Sequence, residues 1–147
     1  MMKTIYQQKL CCLQYHEKSN FIQMIWEGDL NNDEYKAFWT AYYNEYLKLP
    51  KPYLLVDQRK VGKVDMTARA WFVMNFLPKY KNKVRPDLIV AVMQPQNVMN
   101  KTAIQYLVSA TNRLTSYQIR LFTQQDEAHR WLDLMYKQEV YAQQVKK

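Results

Sequence analysis

Apolar side chains recur in two rhythms along this chain, every second residue in some stretches and every third or fourth in others. Leu10 to His16 and Phe21 to Trp26 read as two strands joined by Glu17-Lys18-Ser19-Asn20, a connection of hairpin length. Ile22, Met24 and Trp26 share one face of the second strand. The rhythm then changes. Tyr35, Phe38, Trp39, Tyr42, Tyr43, Tyr46 and Leu47 make a wide helical stripe that predicts a core-facing helix. Asn31 with Glu34 predicts its capping box, and Pro50 and Pro52 lie beyond its end. Tyr53-Leu54-Leu55-Val56 reads as a buried strand closed by Asp57. A second helix is expected from about Asp65 to Leu77, stopped by Pro78. Leu88-Ile89-Val90-Ala91-Val92-Met93 is the next strand, introduced by Asp87. Pro95 and Asn97 open a third helix with the stripe Met99, Ala103, Tyr106, Leu107, Ala110 and Leu114. Ile119 to Phe122 is the last strand. Asp126 and Glu127 begin a final helix that buries Ala128, Trp131, Leu132 and Met135, with a tail expected to fray from about Val140.

Two strands and a helix, followed by strand and helix three times over, require crossover connections. The expected fold class is therefore α/β: a mixed, mostly parallel sheet of about five strands with an N-terminal antiparallel hairpin and about four helices. The 147 residues suit one domain with its core at about 10–136. Gly28 and Gly62, the only glycines, fall between periodic segments where turns are expected.

No apolar run has the ~20 residues of a membrane helix, and the N-terminal stretch lacks a signal peptide's apolar core, so a cytoplasmic protein without membrane insertion is expected. Adjacent Cys11 and Cys12 point to opposite faces of a strand, which suits neither a disulfide nor a shared metal. The net charge of +8 is concentrated between Gln58 and Pro86. There Arg59, Lys60, Lys63, Arg69, Lys79, Lys81, Lys83 and Arg85 face only Asp65.

Two isolated glycines make no phosphate loop, and His16 and His129 have no ligand partners at metal spacing. His129 lies off the apolar stripe of its helix and reads as a surface histidine. Ser19, Ser109 and Ser116 lack a nucleophile elbow. Asp57 at a strand end is a single carboxylate, which commonly caps the following loop. No enzyme, cofactor or metal is expected.

The strand pair, the β-α alternation and the run Leu54-Leu55-Val56-Asp57 resemble the STAS domain of sulfate transporters and anti-sigma-factor antagonists. The resemblance spans residues of about 10 to 136. It is closer to a poorly characterised bacterial branch, through Asp57-Gln58-Arg59 and the aromatic helix Trp71-Phe72 to Leu77-Pro78. It implies a non-catalytic regulatory module with a protein partner. It also implies a phosphorylation switch at the start of the second helix, where Thr67 is the nearest hydroxyl. A phosphate there would lie beside Arg59, Lys60 and Lys63, although the family's Ser-Gly pair is missing.

Two other functions remain open: weak nucleic-acid binding through the basic segment 58–86, and an apolar-ligand or lipid site of the related carrier type. The basic clusters flank the second helix and accompany no nucleic-acid motif. At 100° per residue, Met66, Ala70, Val73, Met74 and Leu77 share one side of that helix, which is expected to face the sheet. Phe72 and Phe76 then fall with Arg69 on the outer arc, with Trp71 at its margin, and predict an anchor for a partner or a second copy of the chain.

Overall fold

The computed structural model describes residues 1–146. Six strands form one sheet in the order β1 (Met2–Gln8), β2 (Cys11–His16), β3 (Phe21–Leu30), β4 (Tyr53–Val64), β5 (Ile89–Met93) and β6 (Gln118–Phe122). The first three pair antiparallel, and β3 to β6 are parallel. The expected hairpin is present, with His16 opposite Phe21. The edge strand β1 is additional to it. Its Lys, Thr and Gln side chains are largely exposed, so no buried face marks it in the sequence.

Helix α1 (Asn32–Tyr46) carries the predicted capping box: the Asn31 side chain accepts from the Glu34 amide at 2.8 Å, and the Glu34 carboxylate accepts from the Asn31 amide at 2.9 Å. Tyr35, Phe38, Trp39, Tyr42 and Tyr46 are buried, and Trp26 packs edge-on to Phe38 at 4.7 Å. This aromatic layer lies on one face of the sheet together with α4 (Val98–Leu114) and a helical rod over 66–80. The other face is covered by α5 (Gln125–Val145), whose Ala128, Trp131 and Leu132 pack on Phe21, Leu55 and Ala91. Met135 is partly buried beside them. The helix runs past Val140, where the tail begins, on to Val145.

Both glycines lie within strands rather than in turns. A Cβ on Gly62 would come within 2.1 Å of the Asp29 carboxylate, which accepts the Lys63 amide at 2.7 Å. Strand β4 therefore does not stop at Asp57. It continues to Val64, paired with the far end of β3 across close backbone contacts that only glycine permits.

The rod is where the sequence reading departs most from the structure. It consists of α2 (Met66–Trp71), a π turn (Phe72–Phe76) and α3 (Leu77–Tyr80). Ala68, Phe72, Phe76 and Leu77 are buried, whereas Met66 and Met74 are 85% and 73% exposed. The inward face is thus the one carrying the two phenylalanines. Phe72 and Phe76 stack at 5.5 Å and lie 4.5 and 5.3 Å from Trp39 of α1. The partner anchor expected from these two residues is core instead. Nor does Pro78 end the helix. The π turn has already rerouted the backbone bonds just before it, so the missing amide of Pro78 is accommodated and the rod continues to Tyr80.

Helix α4 buries Leu107 and Ala110 as expected, but the rest of its inward face differs. Asn97 caps it by accepting from the Asn100 amide at 3.1 Å, as its position suggests. Ile104, Leu107, Ala110 and Thr111 are buried, while Met99 and Tyr106 are 82% and 61% exposed. The aliphatic stripe packs the sheet and the tyrosine and methionine stay outside.

Candidate functional site

Between the aromatic layer and the sheet lies a cavity of about 90 Å³. Tyr35, Trp39 and Tyr42 of α1 form one wall, and Phe72, Phe76 and Leu77 of the rod a second. Ile104 and Leu107 of α4 close the third side, over a floor of Leu54, Val56, Val90 and Val92. Each wall follows from an element described above: the stripe of α1, the inward phase of the rod, and alternate residues of β4 and β5. In this apolar interior the Tyr42 hydroxyl has no hydrogen-bond partner among the described residues, and neither has Trp39 Nε1. Burial holds the Tyr42 phenol well above the usual tyrosine pKa. It therefore stays a neutral donor and acceptor. A buried polar group without a partner is uncommon and points to something missing beside it.

A second, polar cluster occupies the opposite face of the sheet. Arg59 pairs with Asp57 through two bonds of 2.9 and 2.8 Å and also donates to Gln125 of α5 at 2.7 Å. Gln23 of β3 donates to Asp57 at 3.2 Å, and its carbonyl oxygen lies 3.2 Å from His129 Nε2. His129 is accordingly not a plain surface residue. Its ring packs edge-on to His16 at 5.1 Å and to Phe21 at 5.2 Å. Burial lowers the pKa of both histidines, that of His16 to about 4. Every Asp57 oxygen is occupied by internal partners, so the cluster locks β3, β4 and α5 together instead of presenting a free carboxylate.

The remaining candidate residues are dispersed. Thr67 is exposed in the first turn of α2 and donates to Asn32 of α1 at 2.9 Å. Arg59 faces α5 across the sheet, so the structure does not bring it beside Thr67 as expected. Lys60 and Lys63 are exposed at the far end of β4. Arg69 donates to Asn100 at 3.1 Å, and Asn100 in turn donates to the carbonyl of Gly62 at 3.0 Å, so Arg69 joins α2, α4 and β4. Trp71 is half-buried with Lys36 over its ring. Arg85 leaves the basic patch altogether: its side chain is 12% exposed and is held by Asp87 and Glu139. Lys79, Lys81 and Lys83 remain at the end of the rod. The sequence leaves an apolar-ligand site open without placing it: α1 has the expected phase, but the rod and α4 turn other residues inward to complete the walls. The one signal in the sequence was the Phe72-Phe76 spacing itself.

Among the described residues, no helix is long and apolar enough to cross a membrane, and no group of three or more His, Cys, Asp or Glu side chains is placed to hold a metal. The comparison with curated proteins found no match. The fold is similar to that of an uncharacterised protein from Shewanella loihica PV-4 with a SpoIIAA-like fold. That likeness has a TM-score of 0.52 and 16% identity, covering 90% of this chain and 92% of the other. The SpoIIAA-like family model matches residues 21–133, from β3 into α5, which takes in the parallel sheet, the cavity walls and the polar cluster: the chain belongs to the SpoIIAA-like family.

Proposed function

We propose that this protein is a non-catalytic regulatory module that binds a small, largely apolar molecule in the cavity between the sheet and its aromatic helices. The observation that carries this reading is the unpartnered Tyr42 hydroxyl on an otherwise apolar wall. Buried hydroxyls ordinarily have a partner. A ligand with an apolar body and one oxygen satisfies this one. Pockets for small molecules are commonly of this kind, apolar with a few placed polar groups.

Regulation follows from what lies outside the same walls. Met66 and Met74 on the rod, and Met99 and Tyr106 on α4, are exposed on the two helices that enclose the cavity. Filling the cavity shifts those helices, and a protein partner or a second copy of the chain reads the change in the cytoplasm. The SpoIIAA-like fold supports a protein-binding role, and the internal engagement of Asp57 supports the absence of catalysis.

Trp39 on the cavity wall makes binding observable. Titration with a small alcohol such as 1-butanol is expected to give a saturable change in tryptophan fluorescence, and Leu107→Trp, which fills the cavity, is expected to abolish it while the fold persists. A wild-type protein with no saturable response to 1-butanol or to other apolar probes of that size refutes the reading.

A further inference from the structure

Helix α5 packs on Phe21, Leu55 and Ala91 and leaves on the same face of the sheet a cleft of about 360 Å³, walled by β2, β3, β4 and Gln125 of its own first turn. Exposed Lys60 opens it to solvent. A bulge shapes this cleft. Ile25 pairs with Asp57 and Glu27 with Lys60, so β4 takes three residues where β3 takes two. Gln58 before the irregularity lines the aromatic cavity and Val61 after it belongs to the aromatic core, whereas Arg59 and Lys60 both line the cleft. An unbroken strand would send one of the two to the other face.

The bulge thus sets a fixed guanidinium beside a free ammonium. Arg59 is anchored on Asp57 and Gln125 through Nε and Nη2, which leaves the two N–H groups of Nη1 for a ligand. Lys60 is the cross-strand neighbour of Glu27, and both line the cleft, yet neither belongs to an ion pair among the described residues. Farther along, Ile25 and Gln14 lead to His16, whose Nε2 is buried without a hydrogen-bond partner among the described residues. A buried polar atom of this kind ordinarily has one.

We infer that this cleft binds a free α-amino acid with a polar side chain: its carboxylate on Arg59 and Lys60, its ammonium on Glu27, and its side chain directed over Ile25 towards Gln14 and His16. Charge selects this class. Asp57 is neutralised by Arg59, and Lys60 and Glu27 leave one positive and one negative group, which suits a ligand whose own charges sum to zero. A nucleotide or other polyanion would set its further charges against Glu27. An α-amino acid carries ammonium and carboxylate on one carbon, which matches groups that project from strands about 4.8 Å apart. The volume falls at the lower end of the range for small-molecule pockets, roughly 300–1,000 Å³. Cleft and aromatic cavity share no lining residue, so either can fail as a binding site without the other.

The test applies calorimetry and backbone amide chemical shifts to the wild type, Lys60→Gln and Glu27→Gln, with glycine, L-leucine, L-glutamine, N-acetyl-L-glutamine and L-glutamine methyl ester as probes. L-glutamine is expected to bind saturably, more tightly than glycine or L-leucine, and to lose at least about tenfold on acetylation or esterification, the order of one charge-assisted contact. Glu27→Gln is expected to remove the penalty for acetylation alone, and Lys60→Gln to reduce the penalty for esterification alone, since Arg59 remains. Circular dichroism is expected to be unchanged in both variants, because neither side chain is part of the core. Absence of saturable binding by any of these amino acids overturns the assignment, as does binding that the blocked forms match or that both variants leave unchanged. Glycine binding as tightly as L-glutamine overturns the side-chain part of it.

Discussion

The Leu77 amide donates to the carbonyl of Phe72, five residues earlier, and this single bond marks the π turn that aligns Phe72, Phe76 and Leu77 on one inward face. The extra residue in the turn sets all three against Trp39 and the cavity. Replacing Phe72 or Phe76 with Ser therefore removes core contacts rather than a docking anchor. Each substitution is expected to cost about 3–5 kcal/mol, the range for truncating a buried aromatic. Urea unfolding monitored by circular dichroism checks this. A double variant that retains wild-type stability would place the two rings outside the core.

Asp57→Asn leaves the Arg59 guanidinium with its main partner neutral while Gln23 loses a charged acceptor. Breaking a fully buried pair costs about 3–5 kcal/mol. Here Asp57 is 6% exposed but Arg59 is 39% exposed, so water compensates in part and about 1–2 kcal/mol is expected. The same measurement decides, and a stabilised Asp57→Asn protein would contradict a structural role for the cluster.

Gly62→Ala is expected to be more damaging than a surface-strand substitution normally is. The added methyl would sit 2.1 Å from Asp29 Oδ1 and 3.0 Å from the Gly28 carbonyl carbon. Relief requires Asp29 to abandon the Lys63 amide and the β3–β4 pairing to open. A drop in Tm of several degrees, about 1–2 kcal/mol for a domain of this size, is the expected result.

Acid should weaken the fold through the paired histidines. The folded-state pKa of His16 is about 4, below the ordinary 6.5, first because of burial and then because of His129. His129 is lowered as well, again chiefly by burial. The unfolded chain thus binds protons that the folded one refuses, and stability falls as pH drops from about 6.5 towards 4. His16→Phe is expected to flatten that part of the Tm-against-pH profile. An unchanged slope would mean that the histidines do not govern it.

Nucleic-acid affinity, if measured with labelled DNA and RNA, is expected to be weak, insensitive to sequence and steeply salt-dependent. Arg59 and Arg85 are consumed by internal ion pairs, and Lys60 and Lys63 lie at the opposite end of the rod from Lys79, Lys81 and Lys83. Submicromolar, sequence-selective binding at physiological salt would reverse that conclusion.

Local patterns decided the elements of this protein. The tyrosine and tryptophan stripe of α1, its Asn31–Glu34 box, the branched run of β5 and the β-α alternation are each set by interactions within a few residues, so the sequence alone determines them and with them the class of fold. Tertiary structure decided which face of each helix turns inward. In the rod and in α4 two apolar stripes compete, and the choice fell to the partner surface: Trp39 accepts the flat rings of Phe72 and Phe76, and the branched floor of the sheet accepts Ile104 and Leu107. The glycines follow the same rule, because the need for Gly62 lies in the approach of Asp29, distant in sequence. The cavity and the unpartnered Tyr42 depend on those long-range choices. A helical repeat records periodicity, but only the neighbour it meets determines its phase.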